Sequence, residues 1–436
     1  MQLFSISRKA CATLMVAVIP AFLITSCGNP DKDASSDKKS QNTSGKSASS
    51  EAITLPVLDA LFFEENFEQE LKTKLQLTDK QITQLKESAR ASVSDLDESD
   101  GEYLGSNKTA VQLSKSRITE IIGEEKTSRL YQLAAERYAQ GDIAGLWPTK
   151  PNSIPADTRI VVNAPAFRMD VFDNGKLIKS YKVGIGYPEF PLPTGMRRTE
   201  QIILNPTWTP PDEPWVKGKV QAGKKVPAGS KLNPLGPIKI PIGLPSLIHG
   251  GKAVEKLGTF ASHGCVGLTD AQVKEFASLL GQLCETVLPA DSIAAIGQEK
   301  TKTRTVRLTK AIPVELRYET VVVENGNLHL YRDVYERGTN TMEEVAKVLA
   351  IYNLKMESLS AEERAKIEQG IAAMNRDAKG NEVADDTATG KDKNSNKKSS
   401  GSKVTRTIAG KKEIIIPIAK LNGKGYPAAV SLNEGK

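Results

Sequence analysis

The stretch ASHGCVGLTD, residues 261–270, sets a cysteine two positions after one of only three histidines in a chain of 436 residues. Three chemistries compete for Cys265. His249, His263 and Cys265 would supply three zinc ligands, but neither a second close cysteine pair nor an HExxH helix accompanies them. A buried structural cysteine is the bland alternative. The third reading is a nucleophile: a free thiol titrates near ~8.5, and a neighbouring imidazole that stabilises the thiolate makes attack on an amide carbonyl practicable. Gly264 and Gly267 flank Cys265, as suits a sharp turn that exposes Sγ and points backbone N–H groups at a developing oxyanion. A strand ending at His249, in SLIHGGKA, would carry its ring over that turn, whereas His329 belongs to a distant strand. These residues favour a thiol acyltransferase or hydrolase and leave the substrate open.

Such a site needs a rigid frame, and the texture from Pro151 onward supplies strands. TRIVVNAPAFRMDVFDNGKLIKSYKVGIG alternates well enough for two or three of them, with Asp173-Asn174-Gly175 as a hairpin turn. RYETVVVENGNLHLYRDVY repeats the strand, Asn-Gly, strand grammar, and one helix is expected from Asp270 to Leu283. Residues 151–335 therefore read as one mostly β domain.

Helical segments flank it. Over residues 51–150, LDALFFEENFEQELKTKLQL spaces apolar residues by three and four, Thr78 with Gln81 makes a capping box, and SRLYQLAAERYAQGD continues the pattern. Residues 336–378 are helical again, with Ser360 as a cap. A linker of lysine, serine and aspartate at 379–402 leads to a small β element over 403–436, read as a docking piece.

The N-terminus is an export signal. Arg8 and Lys9 precede an apolar run too short for a comfortable membrane span, which ends in Ile24-Thr25-Ser26-Cys27. That ending resembles a bacterial lipobox, implying a lipoprotein signal peptide over residues 1–27 cleaved so that a lipidated Cys27 becomes the new N-terminus, with tethering by residues 28–50. A periplasm-facing lipoprotein follows, on either membrane. The mature body then keeps Cys265 and Cys284, which an oxidising compartment would allow to pair. Formal charge is +7, or about +5 without the signal segment, and the lysines are scattered without interleaved aromatics, which argues against nucleic-acid binding.

IHGG (248–251) and ASHGCVGLTDAQV (261–273) resemble the signature of the L,D-transpeptidase, or YkuD, catalytic domain. Supporting matches are VGIGYPEFPLPTG (183–195), LNPTWTPP (204–211), NPLGPIKI (233–240) and the region 313–335, so the resemblance covers residues 157–335. It implies a β-sandwich catalytic domain with flanking α-helical segments. Cys265 takes the nucleophile's place, His249 the general base's, and His263 that of an orienting histidine. Ser262, Gly264 and Gly250 take supporting places, with backbone N–H groups near Gly264 and Cys265 as oxyanion donors and the following helix N-terminus close to the thiolate.

The activity so implied is formation of 3-3 crosslinks between peptidoglycan stem peptides through a thioester, with no metal or organic cofactor. L,D-carboxypeptidase action, anchoring of an envelope protein, or noncatalytic peptidoglycan binding are the alternatives. One position departs from the family: after the cysteine and a hydrophobic residue it carries arginine or asparagine, and here Gly267 stands instead. A basic residue such as Arg197, Arg198 or Lys252 would have to fill that role.

Overall fold

Alternating apolar residues build strands β1 (Arg159–Asn163), β2 (Arg168–Asp173) and β3 (Lys176–Lys182) into an antiparallel meander. Its second turn holds Asn174 and Gly175 at φ 47° and 80°, the left-handed values that a two-residue hairpin demands. The computed structural model describes residues 53–94 except 65, 107–139, 151–213, 216, 218–243, 246–288, 293, 299, 301–383 and 405–432, all within the unit Ser49–Lys436. The expected signal segment, Cys27, the tether to residue 50 and most of the 379–402 linker lie outside the described residues.

The remaining strands of this region are β4 (Ile185–Gly186), β5 (Gly195–Leu204), β6 (Ile238–Pro241), β7 (Leu247–His249), β8 (Phe260–Ser262), β9 (Val266–Gly267) and β10 (Arg304–Arg317). Eight strands form one sheet in the order β3-β2-β1-β10-β5-β6-β7-β9, and β4 pairs with β8 beside it. The fold is mostly β. Helix α6 (Asp270–Leu283) has the bounds that the sequence predicts, set by a capping box between Thr269 and Gln272. Its Val273, Phe276, Ala277 and Leu280 join Val162, Ile240, Ile248, Phe260 and Val266 in the main core. Burial of large aliphatic side chains stabilises such a core by roughly 1.5–3 kcal/mol each.

Ahead of the sheet stand α1 (Leu55–Leu61), α2 (Phe67–Lys74), α3 (Asp79–Ser94), α4 (Asn107–Ile122) and α5 (Glu124–Ala139). Their own core gathers Leu58, Phe67, Leu71, Leu85, Ile118 and Leu130. Gln81 N–H donates to Thr78 Oγ1 and Thr78 N–H to Gln81 Oε1, the reciprocal box the sequence predicts at the start of α3.

The C-terminal part is arranged differently from its sequence reading. The hairpin of β11 (Val321–Glu324) and β12 (Asn327–Tyr331) forms its own three-stranded sheet with β13 (Glu413–Pro417), outside the eight-stranded one. Helices α7 (Met342–Ile351) and α8 (Ala361–Met374) cover it, and Ser360 caps α8 in a box with Glu363. The physical reason is edge pairing. β12 has both edges taken, one by β11 and the other by the strand 80 or so residues on, a long-range choice that local alternation cannot express.

Buried charge joins the two sheets. Arg168 on β2 donates to Asp170 Oδ1 at 2.8 Å, to Glu324 Oε2 of β11 at 2.7 Å and to the Pro427 carbonyl at 3.1 Å, with the Tyr426 ring 5.6 Å away. All three charged side chains are nearly sealed from water. Removing the one cation leaves two carboxylates uncompensated, so Arg168→Met is expected to cost about 3–5 kcal/mol. Denaturant unfolding of the two proteins measures it.

Candidate active site

The Cys265 turn is closed by its own serine. Ser262, the last residue of β8, accepts from Cys265 N–H at 2.9 Å and donates from Oγ to the Cys265 carbonyl at 2.6 Å. Gly264 between them sits at φ 87°, the left-handed region where a side chain is strained. Its carbonyl accepts from Ser246 Oγ at 2.8 Å. Ser262 thus absorbs the Cys265 N–H. Of the two N–H groups proposed from sequence for an oxyanion, the one at Cys265 is engaged within the turn, and Gly264 packs against Gly186.

Strand pairing carries the histidine to this turn. β7 runs parallel to β9, with Ile248 opposite Val266 and His249 opposite Gly267. On the far side Gly267 exchanges two backbone hydrogen bonds with Gly184, at 2.8 and 2.9 Å. The Leu247 backbone, two residues before His249, hydrogen-bonds to the Cys265 thiol. His249 Nδ1 lies 2.7 Å from the Gly250 carbonyl. A carbonyl only accepts, so Nδ1 carries the proton and Nε2 is left as the basic nitrogen.

Burial sets the resting protonation. It pushes the Cys265 thiol above its ordinary value, opposed by the Leu247 hydrogen bond and the Lys252 charge. Burial likewise lowers His249 to about 3, and Lys252 lowers it further against the Gly250 hydrogen bond. Near neutral pH the pair therefore rests as thiol and neutral imidazole.

His263 occupies another position. Its ring meets Tyr187 and Phe190 edge-on, with centroids 5.0 and 4.7 Å apart. The turn carrying those rings is tied to β8, which leads into the Cys265 turn, by Tyr187 N–H donating to the Ser262 carbonyl at 2.8 Å. Gly250 and Gly251 carry the loop after His249, which α6 fastens through Gly251 N–H donating to Asp270 Oδ1 at 2.7 Å. The helix start thus acts on the site through the histidine's loop. His329 lies on β12, with Nδ1 2.6 Å from Glu413 Oε1. Arg197 is buried on β5 and donates to the Gly243 carbonyl at 3.0 Å, and Arg198 bridges to Glu200.

Cys265 and Cys284 are both free thiols. Cys284 is buried at the C-terminal cap of α6. Among the described residues no group of three or more His, Cys, Asp and Glu side chains is arranged to hold a metal ion. Among them, too, no helix is long and apolar enough to cross a membrane.

A residue that the motifs did not single out braces the Tyr187–Phe190 turn. Glu189 is buried, and Thr405 donates to its carboxyl from N at 3.3 Å and from Oγ1 at 2.9 Å. Thr54 Oγ1 donates to the Glu189 carbonyl at 3.0 Å. The glutamate's placement inside VGIGYPEFPLPTG was visible in sequence, but its two partners stand 135 and 216 positions away, with no local signal.

Residues 157–310 match the family model YkuD, the L,D-transpeptidase catalytic domain. The chain therefore carries a domain of the L,D-transpeptidase family in its mostly β region. No curated protein matches the chain. Among solved structures it is similar to the Ldtfm–avibactam carbamoyl enzyme, at 19% identity over 37% of this chain and 49% of that one, TM-score 0.24. The catalytic domain of the E. faecium L,D-transpeptidase matches at 16% identity over 38% of this chain and 100% of that one, TM-score 0.25. An L,D-transpeptidase from Mycobacterium smegmatis matches at 14% identity over 37% and 59%, TM-score 0.21. The chain spans about half the length of the first of these.

Burial raises Glu189 from 4.5 to about 7, with its hydrogen bonds from Thr405 acting the other way and Glu336 adding to the rise. Between those values the folded protein keeps a proton that the unfolded chain has lost, so this contribution to stability is full below about 4.5 and fades as pH rises through about 7. Glu189→Gln is neutral throughout. Its melting temperature, relative to the parent protein, is expected to climb from pH 5 to pH 8, as thermal melts across that range would record.

Proposed function

We propose that this protein is a cysteine-dependent peptidoglycan L,D-transpeptidase that forms 3-3 crosslinks between stem peptides. The observation that carries the reading is the pairing of β7 with β9, which sets His249, with Nε2 as its basic nitrogen, beside the strand that leaves Cys265. The family match over residues 157–310 supports it.

The reaction is a double acyl transfer. As Cys265 Sγ attacks the carbonyl before a terminal D-alanine, its proton passes to His249 Nε2, and the same proton leaves on the D-alanine amine. The thioester is then attacked by the side-chain amine of a second stem. His249 takes that amine's proton and returns it to the sulfur, which leaves as the thiol. A backbone N–H near the Cys265 turn would stabilise the oxyanion in both steps. Lipidation of Cys27 would hold the enzyme at a membrane facing the periplasm, where its partners are stem peptides and, in an anchoring reaction, an envelope protein's amine.

Purified protein incubated with tetrapeptide muropeptides is expected to yield dimers, resolved by digestion and mass analysis. Tripeptides alone would mean carboxypeptidase action, and unchanged substrate would mean binding without catalysis. Cys265→Ala is expected to abolish both the product and the mass adduct formed with a carbapenem. His249→Gln should slow turnover by about 10²–10⁴-fold, which timed muropeptide assays would resolve.

A further inference from the structure

Gly267 stands where a side chain would look onto the reacting pair, and another residue fills that space. A Cβ placed on Gly267 would lie 2.7 Å from Lys252 Cγ, 2.9 Å from Cε and 3.3 Å from Cδ. The lysine's methylene stem therefore crosses the glycine in close contact. This path is built from both ends. Lys252 N–H donates to the Leu268 carbonyl at 3.1 Å, one residue beyond Gly267, and the preceding Gly251 is fastened to Asp270. Since Gly267 is the strand partner of His249, a stem laid over it delivers a cation to the space between the histidine and the Cys265 turn. Its charge acts on both groups.

Other titratable groups stand on the elements packed around it. Lys239 of β6 is the strand partner of His249 on its other side, and burial holds its ammonium below the ordinary value. Asp270 of α6 spends one carboxylate oxygen on the loop backbone. His263 lies against Tyr187 and Phe190. Of the charged groups on these elements, Lys252 is the one that opposes the burial of the Cys265 thiol.

We propose that Lys252 is a positioning residue of the acyl transfer, which supplies across Gly267 the positive charge that holds the Cys265 thiolate. The inference rests on the acyl-transfer reading for its role in turnover. In the step concerned the S–H bond breaks, the proton goes to His249 Nε2, and the electron pair stays on sulfur beside the ammonium. Lys252 keeps its own protons throughout. A glycine at 267 is then the condition for a lysine at 252: any β-carbon there would push the stem away.

The test follows iodoacetamide alkylation of the full chain against pH, read on the Cys265 peptide by mass spectrometry. Lys252→Met is expected to move the midpoint upward, slowing alkylation at pH 7 about tenfold for each unit of movement. Lys252→Arg should keep the parent profile. Gly267→Ala should shift it upward by displacing the stem, and the pair Lys252→Ala with Gly267→Arg should restore it by bringing the charge from the other strand. A Lys252→Met profile that superimposes on the parent's overturns the proposal, as does a shift that neither Lys252→Arg nor the paired substitution avoids. Alkylation needs no peptidoglycan. A parent protein with a Lys252-dependent profile that leaves muropeptides unchanged would sink the transpeptidase reading and leave the charge assignment standing.

Discussion

The site depends on two parallel residue pairs, Ile248 with Val266 and His249 with Gly267. Parallel pairing of such short strands is weak alone, and here it is locked from the far side by the reciprocal bonds between Gly267 and Gly184. Through this ladder the strand that ends at His249 and the strand that leaves Cys265 share one edge of a large sheet. The apolar partners Ile248 and Val266 are fully buried in the main core beneath it. A residue's slip in register would turn both toward solvent and carry the histidine off the site.

That placement has an electrostatic cost. A half-buried thiol and a buried imidazole both resist charge, so the resting pair is neutral and any separation of charge between them is costly. Every favourable contact with the sulfur then counts for more than it would in water. The Leu247 hydrogen bond and the Lys252 charge are contacts of this kind. Neither comes from the turn around Cys265, whose Cys265 N–H and carbonyl are both bound to Ser262.

The segments outside the family match also bear on the site. Thr54, just before α1, and Thr405, ahead of β13, both bind Glu189. Tyr335, at the end of the C-terminal hairpin region, donates to the Gly186 carbonyl and accepts from Leu192 N–H, at 3.0 Å each. Val93 of α3 packs with Phe190. The turn that presents Tyr187 and Phe190 to His263 is thus held by the helical region, the C-terminal region and the returning tail together. The helical segments and the tail serve as braces for the active-site wall.

Much of this was legible in the residues alone. Helix α6, the capping boxes of α3 and α8 and the Asn174-Gly175 hairpin are decided by side chains within four positions of one another, where local hydrogen bonds and backbone preferences dominate. The candidate cysteine and histidines stood out because scarce residue types fell in an unusual motif. What local pattern cannot encode is pairing between distant segments. That β12 takes β13 as its neighbour, that Glu189 finds Thr54 and Thr405, and that Lys252 lies over Gly267 while Arg197 and Arg198 turn to other partners depend on which surfaces meet after collapse. The sequence by itself determined the reactive groups and the elements that carry them. Only the tertiary structure decided which cation lies over Gly267, because that choice rests on the space left by an absent side chain on the neighbouring strand.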